Sequence, residues 1–366
     1  MVNSTILNAS LVKEAPYPIW VGRDIFSAVA EALSFSDYSK TLFVVDANVY
    51  SAWADYIQRA LPRDGAVFPL QITEQAKSIE SVQRLWAAFQ QHRLDRKSLV
   101  VIIGGGVLGD VCGFAAATFM RGIPFAMVPT TLLAQVDASI GGKTACNFGG
   151  VKNAIGVITS PQAVLVDISY LRTLPAREFA SGVAEMLKHG LIAEHAHFKA
   201  LAALRPEGAQ EVIEDHVRDS LRIKLRIVAS DPHEQGARKL LNFGHTLGHA
   251  IESSALECGI DLTHGEAIAV GMVGEAFLSQ QQGWLTPSEL AAIEAALTHW
   301  GLPTVGQAMI PREAIVRKVS QDKKNVGSSI RMALLKRMGE GIYDCPISEP
   351  ALHDSLDYVF RANHSK

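Results

Sequence analysis

The segment NFGHTLGH (242–249) concentrates side chains able to do chemistry. Read as helix, it sets Asn242, His245 and His249 at i, i+3 and i+7, on one face. A further histidine, His264, follows in LTHGEA at the start of the next helical pattern. Two histidines with one carboxylate and an open coordination position make a catalytic zinc arrangement. Glu185 in GVAEMLKHG is the carboxylate candidate, with Lys188 three residues on and on the same helix face. A lone core histidine is ordinarily structural, but two on one polar face with a third close by favour a metal. The pattern is not HExxH, so a zinc protease is not indicated. His249 is open between a ligand and an anion or proton contact.

A second candidate is GGGVLGD (104–110), which directly follows the apolar run SLVVII. Glycines let backbone amides approach a pyrophosphate, and the helix start that follows favours negative charge. The spacing is GGGxxGD and not GxGxxG, so a plain strand–helix turn is the competing reading. Asp46 ends an earlier strand, where a carboxylate can accept from ribose hydroxyls or simply cap a helix. Cations gather elsewhere: Lys143, Lys152 and Asn153 share the glycine-rich stretch 135–153 with Asp137, and Arg121, Lys224, Arg238, Lys323 and Lys324 lie apart from it. Cations beside histidine and glycine motifs, in a chain of net charge -3, point to an anionic small-molecule substrate.

The elements that must hold these residues change character along the chain. Runs 41–48, 66–72, 98–106, 123–131 and 163–167 read as strands, and 79–94 as a helix between them. That alternation predicts a parallel sheet with helices on both faces. From about Leu174, long amphipathic patterns take over at 175–193, 208–230, 240–257, 265–282 and 288–299, with one late strand at 330–337. The expected architecture is an α/β dinucleotide-binding domain over 1–172 and a mostly α-helical metal-binding domain over 173–366. The charge balance gives no sign of a nucleic-acid or membrane-surface binder. MVNSTILNAS lacks a basic stretch followed by an apolar run, and the four cysteines form no CxxC pair, so a cytoplasmic protein with reduced thiols is expected.

Taken in order, GGGVLGD, RG, PTTLLAQVDASIGGKT, KN, ASGVAEMLKHG, LLNFGHTLGHAIE, HGEA and DKK resemble the 3-dehydroquinate synthases among the sugar phosphate cyclases. The resemblance covers the chain from about Asp46 to DKKN. It implies a homodimer that uses NAD and zinc, with cobalt possible, to cyclise a small sugar phosphate in the shikimate pathway, without nucleic-acid or membrane partners. By position it implies Glu185, His245 and His264 as metal ligands. It implies NAD contacts at Asp46, Glu74, Lys77, Gly105, Gly106, Val107, Gly109, Asp110, Thr130, Thr131 and Thr173, with Lys143 and Lys152 also on the cofactor side. Lys143, Lys152, Asn153, Asn242, His249 and one of Lys323 and Lys324 match the phosphate end. Arg121 matches an arginine lent to the neighbouring subunit. Lys224 and Arg238 match the pair holding the substrate carboxylate, and Asp137, Glu185 and Lys188 surround the reacting hydroxyls.

The chain departs from the family pattern at Val151 and Thr73, where glycine is usual, and at His189, where tyrosine is commoner. Two other activities fit much of the same pattern: an amino-analogue cyclase, which would keep the Lys224 and Arg238 pair, and a metal-dependent polyol dehydrogenase, which would not need the cations. A non-catalytic descendant is disfavoured by the intact Glu185, His245 and His264 set.

Overall fold

Strand β3 (Thr41–Asp46, TLFVVD) shows why the first half of the chain forms a sheet: it is buried on both faces, and its β-branched run has no polar side to expose. The structure, a computed structural model, describes residues 9–12, 15–27, 33–149, 151–321 and 330–361. It divides into two compact units, Met1–Pro175 and Ala176–Lys366.

In the first unit, β1 (Ala9–Leu11) and β2 (Ile19–Gly22) precede β3, and α1 (Ala47–Arg59) leads to β4 (Ala66–Leu70). Helix α2 (Ile79–Gln91), β5 (Leu99–Gly104), α3 (Gly106–Thr118) and β6 (Phe125–Pro129) follow. Then β7 (Lys143–Phe148) and β8 (Val151–Ile158) make an antiparallel hairpin, and β9 (Val164–Asp167) returns to the sheet. The order is β1-β2-β9-β6-β5-β3-β4, parallel except for the antiparallel β1–β2 pair. The chain leaves β3 toward β4 and comes back on the other side as β5. That reversal makes a topological switch point at the carboxyl ends of β3 and β5, where open α/β sheets bind ligands. Asp46 and the Gly104–Gly106 turn stand there. The hairpin carries Lys152 and Asn153 of the glycine-rich stretch. Both lie on β8, a strand whose side chains are largely exposed and carry no buried alternation to announce it.

The second unit is mostly helical: α4 (Ala176–Ala193), α5 (His195–Ala203), α6 (Glu214–Ser230), α7 (His245–Glu257), α8 (His264–Gln281), α9 (Pro287–His299) and α10 (Arg312–Ser320). A hairpin of β10 (Ile330–Arg337) and β11 (Glu340–Ile347) precedes α11 (Glu349–Val359). The sequence announces β10 but not β11, whose Gly341 and Pro346 weaken the strand signal. Thr263 and Glu266 form a capping box at the start of α8, and Thr286 and Glu289 form another at α9. The expected helix over 240–257 is shorter. Residues Ala237–Asn242 form a 3-10 turn, and Gly244, at φ +79°, breaks the path before His245. Asn242 therefore does not share a helix face with His245 and His249. No helix of the described residues is long and apolar enough to cross a membrane.

Candidate functional site

Within the helical unit, three helices bring one carboxylate and two imidazoles together. Glu185 on α4 is fully buried. Its Oε1 lies 3.4 Å from His245 Nε2 on α7 and 3.5 Å from His264 Nε2 on α8. Ligands held about 2.0–2.1 Å from a tetrahedral zinc stand about 3.3–3.4 Å apart, so these separations fit one ion. Ring nitrogens of His245, His249 and His264 also fall within 4.8 Å of one another, which leaves His249 at the edge of the same cluster.

The far side of each imidazole is held as a ligand requires. His245 Nδ1 is 3.1 Å from the Phe243 carbonyl, and His264 Nδ1 is 3.6 Å from Glu252 Oε2. An acceptor on Nδ1 keeps Nε2 as the binding nitrogen. Burial first, and the nearby Lys188 charge second, push His245 well below the ordinary histidine value, so it is neutral as a ligand must be. Burial opposes charge on His264 too, but the Glu185 and Glu252 carboxylates outweigh it and raise it to about 10. Lys188 contacts Glu185 Oε2 and donates to the Leu241 carbonyl at 2.8 Å, so the buried carboxylate is not left uncompensated.

Glycine contacts set the helix spacing that makes this possible. A Cβ on Gly271 of α8 would meet the Gly244 carbonyl oxygen at 2.0 Å, and one on Gly265 would meet Ser181 of α4 at 2.4 Å. The start of α7 is pinned by Glu275 of α8, fully buried, which accepts from the amides of Gly244 at 2.6 Å, Thr246 at 3.1 Å and Leu247 at 3.2 Å. Sequence reasoning missed Glu275 and Glu252. The second was legible: it lies seven residues after His245 and three after His249, on the same face of α7.

Of the remaining candidates in this unit, Lys224 and Arg238 are buried cations, on α6 and on the 3-10 turn that packs against it. Asp231 shapes that turn by accepting from the amides of Gln235, Gly236 and Arg238. Asn242 donates to Glu234 at 2.8 Å. Lys323 and Lys324 lie outside the described residues.

In the α/β unit, Gly105 and Gly106 open α3 at the switch point, and Gly109 faces open space, with nothing within 4 Å of a Cβ placed there. A Cβ on Gly106 would meet Ala138 at 3.0 Å, so backbone and not side chain lines the turn. Asp46 caps α1, but both amide contacts, 2.9 Å from Asn48 and 3.2 Å from Val49, use Oδ1, so Oδ2 can accept from a ligand. Lys77 is buried and joins Asp110 at 2.5 Å and Asn153 at 2.6 Å. Lys152 sits 3.5 Å from Glu74, and Asn147 bridges Glu74 and the Asn153 amide. Thus Glu74, Lys77, Asp110, Lys152 and Asn153 form one polar network whose hub, Asn147, sequence reasoning overlooked. Thr130 is buried beside the turn, Thr131 caps the segment that leads to half-buried Asp137, and Lys143 is exposed at the start of β7. Thr173 accepts from Trp53 Nε1 at 2.7 Å and donates to the Tyr170 carbonyl, which commits much of its hydroxyl to packing.

Near α4 the helical unit also buries His197, pushed down to about 3 by burial and by the neighbouring His189 and His216. The native state keeps it neutral, whereas the unfolded chain takes up its proton near pH 6.5. Between those values the unfolded state binds more protons, so stability falls as pH is lowered, by at most about 1.4 kcal/mol per unit. The urea midpoint should decline less steeply with acid in His197→Phe than in the unaltered protein; parallel declines would contradict this.

A parallel sheet with a glycine turn at its switch point, and a helical unit with a carboxylate between two histidines, define an enzyme with the two-unit fold of the sugar phosphate cyclases. The structure of 2-epi-5-epi-valiolone synthase from Streptomyces hygroscopicus subsp. jinggangensis 5008, solved with NAD+ and Zn2+ bound, is 27% identical with a TM-score of 0.84, over 96% of this chain and 98% of that one. A 2-deoxy-scyllo-inosose synthase shares the fold at a TM-score of 0.85 and 23% identity, over 96% of this chain and 100% of its own. The 3-dehydroquinate synthase of Halorhodospira halophila (strain DSM 244 / SL1) is 39% identical over 94% of this chain and 96% of its own. That of Pelotomaculum thermopropionicum (strain DSM 13744 / JCM 10971 / SI) is 40% identical over 92% of each. The family models described as 3-dehydroquinate synthase N-terminal and C-terminal match residues 67–181 and 182–325. The chain belongs to the 3-dehydroquinate synthase family.

Proposed function

We propose that this enzyme converts 3-deoxy-arabino-heptulosonate 7-phosphate into 3-dehydroquinate with release of phosphate, using NAD and a divalent metal, zinc or cobalt. The observation that carries the reading is the convergence of Glu185 Oε1, His245 Nε2 and His264 Nε2 at separations suited to one ion. When bound, the metal lowers the pKa of the substrate alcohol, and NAD accepts and later returns its hydride.

The chain's own groups have separable tasks. Glu185, His245 and His264 hold the ion, and Lys188 balances the buried carboxylate. The Gly104–Gly106 turn and the first amides of α3 receive the pyrophosphate, while Asp46 Oδ2 accepts from a ribose hydroxyl. Arg238 and Lys224, both buried, supply the charge that a substrate carboxylate requires, and a site built for that charge penalises neutral sugar phosphates. Lys143, Lys152, Asn153, Asn242, His249 and one of Lys323 and Lys324 serve the phosphate end. Asp137 and Lys188 serve the reacting hydroxyls.

The reading includes a cytoplasmic homodimer. Phe148, Val151, Ile155, Val157 and Ile158 are exposed on the β7–β8 hairpin, and a two-stranded hairpin with apolar side chains in water is marginal unless covered. Arg121, exposed and in left-handed backbone, is available to a second subunit. The thiols of Cys112, Cys146, Cys258 and Cys345 are unbridged, as a reducing compartment keeps them.

The test is a phosphate-release assay with the heptulosonate phosphate, zinc and substoichiometric NAD. Many phosphates released per NAD with no net NADH are expected. Stoichiometric NADH formation would assign the chain to simple alcohol oxidation instead.

A further inference from the structure

Asn153 breaks the pattern of its strand. It lies on β8, yet its backbone is left-handed, at φ +50°. The pairing shifts at the same place. Cys146 faces Ile155 and Phe148 faces Val151, so Lys152, Asn153 and Ala154 of β8 lie opposite Asn147 of β7. A bulge of that kind takes backbone groups out of the ladder and re-aims the side chains it carries. Asparagine enters the left-handed region more readily than most residues, but an exposed strand does not by itself hold it there.

The half-buried Asn147 side chain takes the place of a ladder partner. Its Oδ1 accepts from the Asn153 amide at 2.8 Å, and its Nδ2 donates to Glu74 Oε1 at 3.3 Å. A backbone N–H needs an acceptor and a carboxylate needs a donor, so these two contacts fix which end of the Asn147 side chain is oxygen. Asn147 is itself anchored outside the hairpin. Its backbone amide donates to the Lys77 carbonyl at 2.7 Å, and it pairs with Ser78 in an isolated parallel bridge. From the bulge so held, Asn153 Oδ1 accepts from Lys77 Nζ at 2.6 Å, and Lys152 Nζ sits 3.5 Å from Glu74 Oε1. One side-chain amide thus ties the 74–78 segment to the bulge that carries Lys152 and Asn153.

We propose that Asn147 is a positioning residue that locks the β8 bulge and so fixes the backbone from which Lys152 and Asn153 meet the substrate. This rests on the reading that those two residues serve the phosphate end. Asn147 acts through Asn153 and Glu74. Its loss therefore falls on binding more than on the chemical step. A bulge free to return to extended backbone must be ordered again each time the phosphate binds, and that ordering is subtracted from affinity.

Hydrogen exchange at the Asn153 amide, in the protein loaded with NAD and zinc, reads the lock directly. Asn147→Ala keeps the backbone anchor but removes the acceptor, and is expected to speed that exchange on the order of 10-fold. Asn147→Asp retains an acceptor and should exchange slowly; exchange as fast as in the alanine variant would count against the side-chain acceptor. Kinetics then test the purpose. Asn147→Ala is expected to raise the substrate KM on the order of 10-fold and to lower kcat by less than about 2-fold. In an Asn153→Ala background the same change should raise KM much less, a non-additivity that general loosening of the fold does not produce. Unaltered exchange in Asn147→Ala, or KM effects that simply multiply in the double variant, would overturn the proposal. Should Asn153→Ala by itself leave KM unaltered, the phosphate-end reading of Asn153 would fall, and the exchange rates would still decide the lock.

Discussion

His264→Ala is expected to leave an enzyme with no measurable turnover and no retained zinc, a loss on the order of 10³-fold or more and well beyond the 10–100-fold of an outer partner. The physical reason is the position of His264 between two carboxylates. Its Nε2 faces Glu185 and its Nδ1 faces Glu252. Removing the ring deletes one of three protein ligands from a site that must also keep a position open for substrate. It also removes the imidazole that stands between the Glu185 and Glu252 carboxylates. Glu252→Gln should fall in the milder range, since it alters only the outer partner. Metal content after gel filtration, with activity measured in added zinc, checks both. A zinc-free His264→Ala protein with full activity would end the ligand assignment.

Glu275→Ala is expected to be the most destabilising single change near the site, costing about 3–5 kcal/mol. The carboxylate is fully buried and accepts three amides at the start of α7, the helix that carries His245 and His249. Those amides have no intrahelical acceptors, and no solvent reaches Glu275 to replace it. Alanine would leave them orphaned and loosen the position of His245. Glu275→Gln keeps one acceptor and should cost clearly less. Urea unfolding of the metal-free proteins separates this from zinc binding; a Glu275→Ala loss under about 1 kcal/mol would place the cap's contribution within ordinary surface effects.

The two residues differ in how far they could be read in advance. His264 follows a polar, glycine-marked stretch and begins an apolar helical pattern, so its chemistry is visible from spacing alone. Glu275 lies in GMVGEAFLSQ, in mid-helix among apolar residues, where nothing local says which helix it faces. The same contrast runs through the rest of the chain. Apolar strands such as 41–46 and 99–104 were plain because both faces are buried. The β7–β8 hairpin was hidden because its strands are glycine-flanked and β8 is largely exposed, so no buried alternation marks it. Asn242 was placed one turn too far into a helix, because helical spacing continues through NFGH while the positive φ of Gly244 stops the backbone.

By itself, the sequence determined the alternation of strands and helices, the change to helices near residue 174, the family, and the identity of the groups able to bind a metal, a dinucleotide and an anion. Those follow from side-chain type and period, which act over a few residues. Only the tertiary structure decided that Glu185 Oε1 meets two Nε2 atoms, that Glu275 and Glu252 orient the histidine helices, and that Asn147 joins Glu74 to Asn153. These depend on helix and strand separations set by contacts such as Gly271 against Gly244, between residues far apart in the chain, where local propensity carries no information.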